Sequence, residues 1–145
     1  MTPTFHVPAH PGAADASVSR RMSRLRRKDN EAELAVRRVL HAAGYRYRVH
    51  HPVPGQRRRT IDIAFTRAKV AVFIDGCFWH GCPAHGTQPR SNAAWWVAKL
   101  AANQARDEDT THWLEADGWL VVRIWEHDDP RGAAGSVAAV LRGRR

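Results

Sequence analysis

The sequence predicts an α/β domain, and three features carry that expectation. Ala32, Ala35, Val36, Val39, Leu40 and Ala43 recur at three- and four-residue steps, the stripe of a helix with one buried face. Thr60–Phe65, Lys69–Ile74 and Trp119–Trp125 are short runs rich in branched and aromatic residues, with the length of buried strands. Ala93 to Ala116 then reads as a long helix between the last two strands.

The chain has 145 residues, enough for one substantial core and too few for two. Residues 1–19 mix Pro, Ala, Gly and His without periodicity and read as a flexible arm; residues 20–145 form the single domain. Lys and Arg outnumber Asp and Glu by 23 to 14, a net charge of +9. That excess points to a polyanionic partner, and nucleic acid leads because its repeating phosphates release counterions to Lys and Arg. No apolar run is long enough to span a membrane, and no apolar core follows a basic start as in a secretory signal. The expected setting is the cytoplasm, at the nucleoid, as a monomer.

Arg20–Lys28 is a basic stretch with Met22 and Leu25 as its large apolar residues, suited to phosphate contact. Asp29 or Asn30 is placed to cap the first helix, with Glu31 and Glu33 in its first turn and Gly44 as its stop. Tyr45–Val49 is expected as a strand, His50–Arg59 as a basic loop and Thr60–Phe65 as the next strand. Asp62 interrupts that last run, and an aspartate inside an apolar strand is costly without a partner such as a cation. Ser91 or Asn92 caps the long helix, on which Trp96, Leu100, Asn103 and Asp107 share one face at steps of 4, 3 and 4. Ala133–Leu141 is expected as a short closing helix.

The stretch Asp75–His85, D-G-C-F-W-H-G-C-P-A-H, holds both cysteines of the chain directly after a strand. Cys77, Cys82 and His85 offer three zinc ligands in a reducing compartment, and His127 at the end of the last strand supplies the fourth, with His80 as an alternative nearer in sequence. A second set consists of Asp62, Asp75, Glu33, His80 and Asp107, which the strands, helices and loop can bring to one edge. Oxygen donors of this kind suit magnesium. Carboxylate-held magnesium beside a histidine is equipment for cutting a phosphodiester.

These residues carry a family resemblance. Arg-Arg-Met at 20–22, Glu33, T-I-D at 60–62, D-G-C-F-W-H-G-C at 75–82, W-x6-N-x2-R-D from Trp96 to Asp107 and G-W-x-V-x-R-I-W-E-H near the end resemble the very-short-patch-repair DNA mismatch endonucleases. The likeness spans about Arg20 to His127. It implies a restriction-endonuclease-like mixed sheet flanked by helices, with structural zinc beside a magnesium site, and an enzyme that nicks 5′ of the thymine in T:G mismatches left by 5-methylcytosine deamination. By position it implies Asp62 as central magnesium ligand with the main-chain oxygen of Ile74, His80 as the histidine that activates or orients water, Asp107 as its partner, and Glu33 completing the site. Phe78, Trp79 and Trp96 would insert beside the mismatch and Met22 would wedge from the N-terminal segment, with Asn103 on the same DNA-facing surface. Trp95, adjacent to Trp96, must point elsewhere. Asp75 stands where some members have histidine, Ile61 where a proline usually precedes the central aspartate, and Cys82 and His127 where others exchange Cys and His. Two rivals are a nicking enzyme of the same fold without mismatch preference and a zinc-stabilised DNA-binding module without catalysis.

Overall fold

The computed structural model describes residues 7, 9, 16–80, 82–84 and 92–144; most of the arm expected at 1–19, together with His85 and Ser91, lies outside the described residues. The element order is α1 (Ala16–Ala42), β1 (Arg48–Val53), β2 (Gln56–Phe65), β3 (Val70–Asp75), α2 (Ala93–Ala116), β4 (Leu120–Trp125) and α3 (Pro130–Gly143).

The four strands form one sheet in the order β1-β2-β3-β4. β1 pairs antiparallel with β2 and β2 antiparallel with β3, whereas β3 and β4 run parallel, with α2 as the crossover between them. Helices cover both faces, as expected for a mixed sheet whose central strand is buried throughout. On one face Val36 and Leu40 of α1 and Ala134, Val137 and Leu141 of α3 pack against Ile63, Val70, Val72 and Ile124. On the other, Leu114 of α2 joins Val53, Ile61, Ala71, Phe73 and Trp119. Every residue of β3 is buried, which explains why that run lacks the alternation of a half-exposed strand.

Five expectations need correction. The strand expected at Tyr45–Val49 is β1 at Arg48–Val53, with Tyr45 and Tyr47 outside it. Asp29 and Asn30 cap nothing: α1 runs unbroken from Ala16, and Asn30 is an exposed position inside it. The basic stretch is therefore helical, its half-buried Met22 and Leu25 one turn apart. The loop expected at His50–Arg59 is a β-hairpin, because arginines and histidines are tolerated on an exposed edge strand and Pro54-Gly55 makes the turn, with Gly55 at φ 80. Lys69 belongs to the turn before β3, at φ 54. α3 begins earlier than Ala133: Asp129 accepts a hydrogen bond from the Gly132 amide (3.0 Å) and Pro130 takes the first turn. Asn92 does occupy the N-cap of α2, but in the left-handed region and without its side chain capping the helix.

Candidate active site

β3 delivers the site. Its pairing with β2 covers Ile63↔Val72, Ala64↔Ala71 and Phe65↔Val70 and goes no further, although both strands continue. Where the ladder ends, the Asp62 carboxylate accepts a 2.8 Å hydrogen bond from the Ile74 amide. Burial pushes the Asp62 carboxyl up to about 6; the Ile74 amide works against this, while Glu33 and Asp75 add to it. A bound cation would offset the cost of ionising Asp62 here.

Asp62, Ile74, Asp75, His80 and Asp107 line one cavity of about 300 Å³, together with Phe73, Thr60, Thr110 and the arginines 58, 59, 106 and 123. Within it, one ligand-capable atom each from Asp75, His80 and Asp107 falls within 4.8 Å of the other two. His80 reaches this position because the loop after β3 coils back on itself: the His80 amide donates to the Gly76 carbonyl (3.1 Å) and the Cys82 amide to that of Cys77 (2.9 Å). Two amides of α2 hold the same loop, Asn103 donating to the Trp79 carbonyl at 3.0 Å and Gln104 to that of His80 at 3.3 Å. His80 Nδ1 is hydrogen-bonded to Asp107. Burial lowers the affinity of His80 for a proton, but Asp107 and the charge of Asp75 outweigh it and the net shift is upward.

Glu33 reaches Asp62 from α1, outside the residues that line the cavity. It is clamped by Arg37 at 3.0 Å and sits 3.5 Å from His50 Nε2, and Glu33, His50 and Asp62 form a second group of donors within 4.8 Å. The five acid–base residues expected at one edge therefore divide between two triads: Asp75, His80 and Asp107 form the first, while Glu33 and Asp62, joined by His50, form the second, and Asp62 also lines the cavity of the first. His50 was not among the expected residues. The β1–β2 register places it opposite Asp62, between the pairs Val49↔Ile63 and His51↔Ile61, and its φ of 48 breaks the regular strand there. Nothing in the sequence shows that register.

Asp75 is buried, and burial raises its pKa despite the opposing charges of His80 and Arg123. Arg123 donates to both carboxylate oxygens (3.1 and 3.3 Å), to the Asp107 carbonyl and to Thr111, and lies 4.5 Å above the Phe73 ring. One guanidinium thus ties β3, β4 and α2 together behind the cavity. The carboxylate at position 75 is answered by an arginine from the neighbouring parallel strand.

At the end of the same two strands, Cys77 Sγ lies 3.1 Å and Cys82 Sγ 3.8 Å from His127 Nδ1, and all three donors fall within 4.8 Å. Such spacings are those between the corners of a tetrahedral zinc site, and the soft donors fit that ion. Burial, the Cys82 thiol and Glu126 push the Cys77 thiol upward, so a cation is what would make it a thiolate. His85, the fourth expected ligand, lies outside the described residues.

The aromatic residues form a packed group. Phe78 contacts Trp79 at 5.0 Å and Trp96 at 5.1 Å between ring centroids, both edge to face, and Trp95 contacts Trp96. Phe78 and Trp96 are 5% exposed; Trp79 is half-buried, with the Arg26 guanidinium of α1 5.9 Å from its ring. Phe78 and Trp96 are thus packed inside the group, while Trp79 at its margin is approached by Arg26 of α1.

A mixed sheet that opens beside a carboxylate and ends in a histidine–carboxylate cavity, on a chain of charge +9, fits a nuclease that uses a divalent metal. Residues 13–85 match the sequence model of the family described as DNA mismatch endonuclease Vsr. The type II nicking enzyme V.NaeI of Lentzea aerocolonigenes is 42% identical over 135 residues, 91% of this chain and 81% of that protein. V.XorIIP, a type II nicking enzyme of Xanthomonas oryzae pv. oryzae, is 40% identical over 72% of this chain and 76% of its own. DNA mismatch endonuclease Vsr of Escherichia coli is 26% identical over 77% of this chain and 70% of its own. The chain belongs to the Vsr family of DNA endonucleases and is a nicking enzyme. No helix among the described residues is long and apolar enough to cross a membrane.

Proposed function

We propose that the protein cuts one strand of duplex DNA on the 5′ side of the thymine in a T:G mismatch, with magnesium in the Asp62 site and structural zinc at Cys77, Cys82, His127 and His85. The observation that carries the reading is the convergence of Asp62, Asp75, His80 and Asp107 on one cavity at the open end of the β2–β3 pair. The fold this implies is restriction-endonuclease-like, with Asp62 and the Ile74 main-chain oxygen as the central metal ligands and Glu33 supporting Asp62.

A divalent cation supplies charge against the developing phosphorane and makes water more acidic. The protein side of the reaction follows from the geometry. Asp62, partly protonated near pH 6 when alone, gives up its proton to bind a cation. His80, fixed through Nδ1 by Asp107, keeps Nε2 for moving a proton at the scissile phosphate. Arg123 keeps Asp75 and the Asp107 backbone in place. Mismatch preference would come from Phe78, Trp79 and Trp96, with Met22 as a wedge from α1. A mismatched step is cheap to unstack, so ring faces that replace lost stacking favour it.

The test is nicking of T:G, other mismatched and fully paired duplexes at fixed salt. Wild type should cut T:G best, and Asp62→Ala should bind the same duplex without cutting it. Equal cutting of paired DNA would remove the mismatch assignment and leave a nicking enzyme without that preference. Undiminished cutting by Asp62→Ala would remove the catalytic assignment.

A further inference from the structure

We propose that Arg58 and Arg106 form a two-armed clamp for phosphates of the strand being cut, and that the β1–β2 hairpin is pinned to α2 to hold the Arg58 arm in place; this rests on the DNA-nicking reading above. Four guanidinium groups line the carboxylate cavity. Two of them are spent inside the protein. Arg59 donates to Asp109 (2.6 Å) and Thr110 (3.1 Å), and Arg123 is engaged by Asp75, Asp107 and Thr111. Arg58 and Arg106 are exposed, and among the described residues the side chain of neither makes a hydrogen bond or ion pair. Arginine is the side chain best matched to phosphate, because its planar fork makes paired, charge-assisted hydrogen bonds.

The arms come from different elements, Arg58 from β2 and Arg106 from α2, and the two elements are locked together. Trp113 of α2 donates its indole N–H to the Pro54 carbonyl at 2.6 Å. The turn sits so close on this ring that a Cβ on Gly55 would fall 2.7 Å from Trp113 Cζ2. With the Arg59–Asp109 pair as a second anchor, both ends of the Gly55–Arg59 segment are held by the helix that carries Arg106 and Asp107. The spacing between the backbones that carry the arms is thereby set before DNA arrives, and only the side chains are left for binding to order.

The experiment measures binding to a T:G duplex across a salt series with calcium in place of magnesium, and nicking with magnesium, for wild type, Arg58→Gln, Arg106→Gln and Arg67→Gln. Arg67 lies on the turn before β3, at the other end of that strand from Asp75. Each arm variant should reduce the slope of log affinity against log salt by about one and nicking efficiency by roughly ten-fold, whereas Arg67→Gln leaves both unchanged. Arg58→Lys should keep the slope while losing part of the rate, since the charge remains and the fork does not. Circular dichroism should be the same for all, because the exposed arms hold nothing in the fold. Unchanged slopes in Arg58→Gln and Arg106→Gln, with wild type binding and nicking, overturn the clamp alone. Equal losses in Arg67→Gln mean a diffuse basic surface and also overturn it. A wild type that neither binds nor nicks duplex DNA overturns the nuclease reading and the clamp with it.

Discussion

Asp62 is an acid kept in a place that favours its protonated form, and that has a measurable consequence. Its pKa in the folded chain is about 6 against an ordinary 3.8, so the metal-free protein bears the full cost of the ionised form above pH 6. The cost disappears as pH falls through 6 toward 3.8, the reverse of a salt-bridged aspartate. A displacement of this size corresponds to up to about 3 kcal/mol. Asp62→Asn, which can still accept from the Ile74 amide, should therefore be more stable than wild type in chelator at pH 8 by about 1–3 kcal/mol, with the gain gone at pH 4. Urea unfolding of both proteins at the two pH values checks this, and a gain independent of pH would contradict it. Much of this residue was legible, because a carboxylate within an apolar run needs a reason. His50 and Arg123 were not. The first matters only through a cross-strand register, and the second is one arginine among many until β3 and β4 are known to be parallel neighbours.

At the scale of elements, the sequence speaks clearly where burial is complete and poorly where charge dominates. β3 and α2 were foreseen nearly to the residue, since one is apolar throughout and the other has clear stops. β1 and the first half of β2 were hidden, because an exposed edge hairpin of Arg, His and Pro shows no apolar alternation. The N-terminal half of α1 was hidden by a false start signal at Asp29 and Asn30. The hairpin's attachment to α2 can be tested apart from DNA. Gly55→Ala adds a methyl group against the Trp113 ring at a positive φ, and it should cost about 1–2 kcal/mol in urea unfolding. Trp113→Ala in the same chain should cancel the part due to the clash, which a double-mutant cycle would read as coupling.

For the whole molecule, the parallel strands β3 and β4 end in both candidate centres at once: Asp75 precedes Cys77 by two residues, His80 precedes Cys82 by two, and His127 follows β4. A metal at the thiols would therefore brace the loop that carries the histidine of the cavity. Metal analysis should find one zinc per chain. Removing it with a strong chelator should cost about 3 kcal/mol or more of unfolding free energy, and His127→Ala should be insensitive to the chelator. Nicking by wild type should fall with zinc loss even when magnesium is in excess; unaltered nicking would separate the two centres. Composition foretold the charge of the molecule but not its placement, because arginines 57, 58 and 59 lie on a hairpin that the sequence presents as loop.

The same hairpin has an effect that concerns no ligand. β1 forms one border of the sheet, with one side unpaired, and such borders invite a second chain to add a strand. Here the border carries Arg48, His50, His51 and Pro52, so charge repels a like strand and the proline offers no donor to it. That border is thereby guarded against pairing with the same strand of a second copy.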